Sequence, residues 1–352
     1  MRQKEQKTMK KILNKLFMGK NLEETDIKRV LKGIAEETFS KEQISAFLGA
    51  LSAKRYGCFL NKHGATPKET AFFAKHLRSY SKCTELKSNT GFVDVCGTGG
   101  DCLNTFNIST TTAFVTAGGG AKIVKHGNRS VSSNCGSADV LEALGIKPAF
   151  EKENLQNILD NTGMIFLYAP QFNTCLGKIK QIRNSIGAPT VFNLMGPLIN
   201  PVKLDYQVIG VYDESKCEPL AEALIHLGLK EAMVVHGKDG LDELSTTCKN
   251  VIYHVKNKKV KKIKLPSLKE LGLKKAKLDD IRGGTPNENA EIILKILHGE
   301  KGAPRDIVLL NSAAAFVVCG IADDFKSGVK IAAKSIDSGA ALNVLEKLKN
   351  VS

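Results

Sequence analysis

The chain has no tryptophan, and aromatic residues of all kinds make up only 6% of it. A surface that reads single-stranded nucleic acid by base stacking needs aromatic rings among its cations. The densest basic stretch, Lys256 to Lys264, holds six lysines in nine residues with Tyr253 as the nearest aromatic, so it reads as a solvated, charged hairpin. No run approaches the roughly 18 apolar residues that a membrane-spanning helix requires. The basic N-terminus, Met1 to Lys11, leads into a short apolar stretch interrupted by Asn14 and Lys15, which does not read as a signal peptide. The nine cysteines are scattered, odd in number and without a C-x-x-C pair. That pattern argues against a zinc site or a disulfide framework and for free thiols in a reducing cytoplasm. Internal repeats and long low-complexity segments are missing too.

What is present is an ordinary globular composition, with 42% hydrophobic and 25% charged residues in 352. That length allows a large core and about two domains. The net charge of +15 favours anionic partners, phosphorylated metabolites or nucleic acid among them.

The first eighty or so residues read as a small helical bundle. Ile12, Leu13, Leu16 and Phe17 follow helical spacing. Asn21 before Glu23 and Glu24 suits a helix start. Ser40 opens a second segment with Ile44, Phe47, Leu48 and Leu51 on one face, and Thr66-Pro67 places a cap before a proline at the first helical position. From Gly91 the pattern changes. Phe92 to Cys96, Ala121 to Val124, Met164 to Tyr168, Tyr206 to Val211 and Ala232 to Val235 read as buried strands. Helical stretches separate several of them, which predicts a mainly parallel sheet covered by helices. Ligands of such sheets sit beyond the carboxyl ends of the strands.

Three motifs fall at those ends. The first is Gly97-Thr98-Gly99-Gly100-Asp101, after a strand and before a helix whose first turn holds Asn107, Ser109 and Thr110. Glycines let backbone amides approach a phosphate, and a helix N-terminus adds a positive dipole end. The spacing matches neither a P-loop nor a G-x-G-x-x-G dinucleotide fingerprint. The second is Lys125-His126-Gly127-Asn128-Arg129-Ser130-Val131-Ser132-Ser133, a dense set of donors for phosphate and ribose oxygens, followed by Ser137 as a candidate N-cap. The third is the pair Asp242-Glu243, carboxylates suited to magnesium on a diphosphate.

Asp94 to Ile146 closely resembles the anthranilate phosphoribosyltransferase family. The resemblance rests on the first two motifs, on Asn107-Ile108-Ser109-Thr110 and on Gly136-Ser137-Ala138-Asp139-Val140-Leu141-Glu142-Ala143-Leu144-Gly145. Later stretches agree, notably Thr190 to Pro201, Asp242-Glu243 and Arg282-Gly283-Gly284, and so does Gln43 to Lys54. The family pattern Ala-Pro-x-x-His-Pro-Ala-Met-Lys reads here Ala169-Pro170-Gln171-Phe172-Asn173-Thr174-Cys175-Leu176-Gly177. Asn173 thus stands for the usual His and Gly177 for the usual Lys, in a segment that in the family lines the acceptor's entry path. Residues 58–65 look like a small insertion.

The resemblance implies a small N-terminal helical domain, residues 1–82 completed by helices around 175–200, on a larger α/β domain, 83–352, with a mainly parallel sheet. It implies a homodimer with the active site between the domains. The donor, phosphoribosyl pyrophosphate, would be bound by Gly97, Gly100, Asp101, Thr105, Asn107, Ile108, Ser109, Thr110, Lys125 to Ser133 and Ser137. Magnesium would be held by Ser109, Asp242 and Glu243. Gly97, Asn128 and Arg183 would meet the aromatic acceptor, and Asn128, Arg183 and His126 are the candidate catalytic residues. The implied reaction transfers phosphoribosyl to the amine of anthranilate, in tryptophan biosynthesis. Three alternatives stand beside it. One is a related transferase with another aromatic acceptor, motivated by Asn173 to Gly177; the others are a nucleic-acid-binding member of the same fold and a nucleoside phosphorylase of related architecture.

Overall fold

The computed structural model describes residues 2–57, 62–81, 85–130, 134–148 and 150–351, with the backbone alone for 2–6 and 174–176. The N-terminal segment folds as α1 (Arg2–Phe17), α2 (Glu24–Ala35), α3 (Lys41–Ala53) and α4 (Pro67–Arg78). Between α3 and α4 lies a short antiparallel pair, β1 (Arg55–Tyr56) and β2 (Lys62–His63); of the apparent insertion 58–65, Lys62 and His63 form its second strand and residues 58–61 lie outside the described set.

Capping sets two of these helix starts. Ser40 Oγ accepts from Gln43 N at 3.3 Å while Gln43 answers the Ser40 amide at 3.1 Å. Thr66 and Glu69 do the same ahead of α4. Glu69 also takes the buried Lys54 ammonium at 2.6 Å and the Leu22 amide at 2.7 Å, so one carboxylate fastens three segments of the bundle. The start of α2 departs from expectation. Its N-cap is Glu23, whose amide donates to Asp26, because Asn21 is engaged by Lys54 at 2.9 Å. Phe17 also departs: Ile12 and Leu16 are buried, whereas Phe17 is 69% exposed at the end of α1.

The rest of the chain alternates strands and helices. In order they are β3 (Val93–Gly97), α5 (Ile108–Gly118), β4 (Ile123–Gly127), α6 (Ser137–Ala143), α7 (Leu155–Thr162), β5 (Met164–Tyr168), α8 (Ala169–Phe172), α9 (Thr174–Ile186), α10 (Met195–Leu198), β6 (Tyr206–Gly210), α11 (Glu214–Leu227) and β7 (Glu231–Gly237). A hairpin follows, β8 (Asn250–Lys256) and β9 (Lys259–Ile263), then α12 (Pro286–Leu297), α13 (Ala303–Val318), α14 (Phe325–Asp337) and α15 (Ala340–Asn350). The sheet order is β5-β4-β3-β6-β7-β8-β9, parallel through β7 and antiparallel beyond it.

This is a small N-terminal helical domain on a larger α/β domain with a mainly parallel central sheet. The two faces of the sheet serve two apolar cores. Val93, Val95, Val208, Met233 and Val235 pack with α5 and α13, while Cys96, Ile209, Ala232 and Val234 pack with α11 and the N-terminal bundle. Residues from α9 and α10, among them Ile179, Ile182, Met195 and Leu198, join that second core. The lysine-rich stretch is the β8–β9 hairpin. Asn257 and Lys258 take positive φ at its two-residue turn, Lys256 meets Glu231 and Lys262 lies over Tyr253. Among the described residues no helix is long and apolar enough to cross a membrane.

Strand order reverses at β3. The chain runs from β3 outward to β4 and β5, then returns to place β6 on the other side of β3. The helices that follow β3 and β6 therefore lie on opposite faces, α5 in one core and α11 in the other. That is the topological switch point at which α/β sheets open a crevice.

A buried carboxylate ties this region together. Asp94 on β3 is fully buried and accepts from Asn200 Nδ2 at 3.0 Å and from the His126 amide at 3.4 Å. Asn200 also donates to Val124 O at 2.8 Å, which anchors the segment after α10 to the sheet. Burial pushes the Asp94 carboxyl up to about 6, against the attraction of Lys125. A carboxyl raised in the folded state adds stability below its unfolded value and loses it as pH rises through 6. We therefore expect the stability of Asp94→Asn relative to wild type to shift in favour of the variant between pH 4 and pH 7, by on the order of 2 kcal/mol. Denaturant unfolding at the two pH values measures it; a difference independent of pH would contradict the assignment.

Candidate active site

The site assembles at the carboxyl ends of β3, β4, β6 and β7. Gly97 and Gly210 end β3 and β6 and pair in register. The loop between β7 and β8 passes directly over both. A Cβ on Gly210 would stand 1.5 Å from Asp242 O, and one on Gly97 would stand 2.1 Å from Asp242 Oδ2. Only glycine lets the carboxylate loop lie this close to the strand ends. Asp242 is then held by the Gly99 amide, which donates to Oδ2 at 2.7 Å.

The loop's position is enforced from behind. Asn311 on α13 donates to Leu244 O at 2.8 Å and accepts from Leu244 N at 2.9 Å. Asp239 accepts from Leu241 N and from the hydroxyls of Ser245 and Thr247, closing the turn. The glycine loop itself turns sharply. Gly99 and Gly100 have φ of +68° and +88°, and Cys102 and Asn104 also adopt positive φ. Gly100 lies over the ring of Tyr212, and Asp101 faces Asp242.

Three carboxylates therefore share one enclosed corner. Burial and the nearby Asp101 charge push Asp242 up to about 7. Burial, then Asp242, raises Glu243 well above the ordinary carboxylate range, offset in part by Lys125 and by the Ser109 amide. Asp101 is raised by burial. Mutual repulsion of this kind is relieved by a cation. Among the described residues no three His, Cys, Asp or Glu side chains close into a metal cage. Ser109, Asp242 and Glu243 would thus hold magnesium only together with ligand and water oxygens, the usual state of that ion on a diphosphate, and the donor set fits it.

On the other side stands the start of α5. Its N-cap is Asn107, whose side chain is fully engaged: it donates to Cys135 O at 3.2 Å and accepts from Asn289 Nδ2 at 2.9 Å. Asn107 thus braces the site, while Ile108 is buried and contributes backbone. Ser109 Oγ accepts from Lys125 Nζ at 3.1 Å, and Thr110 Oγ1 is buried without a partner among the described residues. Lys125 on β4 is 2% exposed, and its ammonium also reaches Val95 O at 2.7 Å. Thr105, between the glycine loop and α5, forms an isolated antiparallel bridge to Arg282. Phosphate ligands placed here would meet backbone amides, a helix N-terminus and a desolvated ammonium.

The stretch after β4 is only partly as expected. Gly127 is required, since a Cβ there would meet Ser137 Oγ at 2.3 Å and the Phe166 ring at 2.7 Å. Asn128 and Arg129 are exposed, and Asn128 Oδ1 accepts from the Arg129 amide. The exposed Arg129 is engaged within the chain: Asp139 and Glu142 hold its guanidinium, with Asp139 at 3.0 Å. Asp139 also takes the Ser130 and Gly136 amides, each at 2.9 Å, so it folds the loop around Arg129. For the same reason Ser137 is not the N-cap of α6. Gly136 holds that position, and Ser137 Oγ donates to Asn128 O at 3.2 Å. Val131, Ser132 and Ser133 lie outside the described residues.

His126 departs most from its expected catalytic part. It is 6% exposed, and both ring nitrogens are taken, Nδ1 by Gly196 O at 3.1 Å and Nε2 by Asn173 Nδ2 at 2.9 Å. Burial pulls its pKa down to about 4, so it stays neutral, with both nitrogens already engaged. Arg183 on α9 is half-buried, and its guanidinium has no hydrogen-bond or ion-pair partner among the described residues. Burial lowers its pKa, as desolvation of an unpaired cation must.

Several site-shaping residues escape a reading of motifs. Gly210, Asn311, Asp94 and Asn200 act through partners far away in the chain. Arg78, in the last turn of α4, is half-buried, with its Nε buried and without a hydrogen-bond partner among the described residues, yet in sequence it looks like an ordinary dipole-complementing cation.

The chain matches two family profiles: residues 10–81 the helical bundle domain of the glycosyl transferase family, and residues 89–342 its a/b domain. It is 43% identical to the anthranilate phosphoribosyltransferase of Clostridium beijerinckii, over 96% of this chain and 97% of that one. The crystal structure of anthranilate phosphoribosyltransferase from Thermus thermophilus superposes with a TM-score of 0.87 at 35% identity, covering 97% of this chain and 98% of the other. The Saccharomyces cerevisiae enzyme, at 29% identity over 98% of this chain and 97% of that one, gives 0.86 in its complex with PRPP and Mg and 0.85 with 4-fluoroanthranilate.

The glycine geometry makes a direct prediction. Gly210→Ala drives a methyl into the Asp242 carbonyl, so it should displace the carboxylate loop and cost about 1–3 kcal/mol or more. Gly49→Ala, inside α3 with nothing within 4 Å of the added methyl, should be neutral or slightly stabilising. Thermal unfolding of the two variants side by side checks this; equal effects would contradict it.

Proposed function

The chain belongs to the anthranilate phosphoribosyltransferase family, and on that footing we propose that it transfers phosphoribosyl from 5-phosphoribosyl 1-pyrophosphate to the amine of anthranilate. Pyrophosphate is released, and the step serves tryptophan biosynthesis. The observation that carries this reading is the convergence, at the switch point of the sheet, of the glycine loop, the start of α5, Lys125 and the Asp101–Asp242–Glu243 corner.

In this reading the amides of Gly97 to Asp101 and the first turn of α5 bind the donor's phosphates, and Lys125 supplies a fixed positive charge. Ser109, Asp242 and Glu243 would hold magnesium, which supplies charge neutralisation for the departing diphosphate. The C1–O bond to pyrophosphate breaks with its electron pair leaving on oxygen, and the amine nitrogen bonds to C1. The amine then gives its proton to solvent. An arylamine is neutral near pH 7, so its lone pair needs no base. That agrees with a His126 whose nitrogens are both occupied. The residues work by placement and by electrostatics fixed before the reaction begins.

Arg183 takes the acceptor carboxylate. A half-buried guanidinium without a counter-ion is a cost to the folded protein unless a ligand provides the anion, and its planar fork suits a carboxylate. Asn128 keeps its Nδ2 for the acceptor while Oδ1 holds the loop.

Arg183→Ala should raise the anthranilate KM on the order of 100-fold, the loss of two charge-assisted bonds, with donor affinity nearly unchanged. Steady-state kinetics and donor calorimetry separate the two, and an equal loss of donor affinity would contradict the role. Asp242→Asn should do the reverse: magnesium-dependent donor affinity falls about tenfold or more while the donor's weak magnesium-free binding is little changed. Calorimetry with and without the ion reads it, and undiminished magnesium dependence would remove Asp242 from the metal set.

A further inference from the structure

The candidates outside the reaction centre are the half-buried Arg78, the cleft between α3 and α9, the lysine hairpin and a chain of hydrogen bonds through Asn173. The last carries furthest. Asn173 lies at the joint between α8 and α9 and is 7% exposed. Its own amide closes the α8 turn onto Ala169 O at 2.8 Å. Its carboxamide reaches two other segments: Nδ2 stands 2.9 Å from His126 Nε2, and Oδ1 accepts from Ser81 Oγ. His126 continues the chain to Gly196 O at 3.1 Å. Four segments meet through the side chains of Asn173 and His126: the residues after α4, the end of β4, the α8–α9 joint and α10.

The protons in this chain are determined by chemistry. Gly196 O can only accept, so His126 Nδ1 carries the ring proton. Nε2 is then a bare lone pair and needs a donor, which is the Asn173 NH2 group. The reversed amide would set Oδ1 against that lone pair. It could be satisfied only by a second ring proton, creating a buried imidazolium that burial and the neighbouring Lys125 ammonium both disfavour. The observed orientation satisfies every group, and each of its members is short of alternatives because the cluster is enclosed.

Resting on the acceptor reading above, we infer that Asn173 is a positioning residue for the acceptor half of the site: it locks His126 as the Nδ1–H tautomer and fixes the joint from which α9 presents Arg183. The lever is mechanical. Arg183 lies ten residues along the same helix, about 15 Å away, so a small rotation at the joint moves the guanidinium by about an ångström or more. Displacements of that size matter to a bound reactant. None of the side-chain partners of Asn173 belongs to the glycine loop, to α5 or to the carboxylate loop; His126 does adjoin the donor-side Lys125, but the backbone of β4 there is held independently by Asp94 and by pairing with β5. Asn173→Asp keeps size and shape and still accepts from Ser81, but it turns an acceptor toward Nε2. Asn173→Ala removes both bonds and leaves the buried His126 Nε2 and the part-buried Ser81 hydroxyl without them.

The test uses the full chain labelled with 15N-histidine, His126 being assigned by loss of its signal in His126→Gln. Two-bond 15N–1H spectra of wild type should show His126 neutral with the proton on Nδ1, and Asn173→Asp should add or move a proton to Nε2. In parallel, Asn173→Asp and Asn173→Ala should raise the anthranilate KM about tenfold or more, with the donor KM within about twofold. A wild-type proton on Nε2 would overturn the bridge, whatever the kinetics. Unchanged anthranilate KM in both variants, or a loss shared equally by the donor, would overturn the positioning role. Wild type with the Nδ1–H signature but no turnover of anthranilate would sink the acceptor reading, and the positioning role with it, while leaving the bridge standing. The wild-type spectrum needs neither Asn173 variant to fold, so the tautomer is tested independently of them.

Discussion

The structure depends on how closely a carboxylate can be laid against the ends of two strands. Asp242 sits on Gly97 and Gly210 where any side chain would collide, and the Gly99 amide fixes its oxygen there. Three acidic groups are thereby crowded into a corner that burial makes unfavourable for charge. The fold tolerates this because Asn311 and the Asp239 turn hold the loop from behind, and because Lys125 stands across from it. Electrostatic strain of this sort is typical of sites that are completed by a ligand. The corner lies at the strand-order reversal, where the helices diverge and leave room for one.

The two halves of the cleft are built differently. The donor half is backbone and short side chains at strand ends, rigid because the sheet is rigid. The acceptor half is carried by α9, whose apolar side joins the core of the N-terminal bundle. Arg183 therefore belongs mechanically to the helical domain while the phosphate groups belong to the sheet. Contacts that cross between them, Asn200 on Asp94 and Asn173 on His126, decide how the halves register.

Much of this was legible in the sequence, for identifiable reasons. Strand ends marked by glycine, caps at Ser40 and Thr66, and the hairpin at Asn257-Lys258 are local devices whose partners lie within a few residues. The glycine loop, Ser109, Lys125 and the Asp242-Glu243 pair were legible as chemistry, and the fold brings them together. Other features were not. Ser137 looks like a cap until Asp139 is seen to hold the Gly136 amide, and Arg129 looks available until Glu142 reaches it from the next helix. His126 sits in a donor-rich motif, but its partners are Asn173 and Gly196, 47 and 70 positions away. Pattern reading finds groups that could react; which of them are already occupied is a matter of tertiary contacts.

The central claim is that the phosphate corner and the unpaired Arg183 serve a single transfer reaction. The most direct measurement is pyrophosphate release from phosphoribosyl pyrophosphate with magnesium, in the presence and absence of anthranilate. The account predicts release that requires both magnesium and anthranilate, with one phosphoribosyl-anthranilate formed per pyrophosphate. Release indifferent to anthranilate, or none when both substrates and magnesium are supplied, would contradict it.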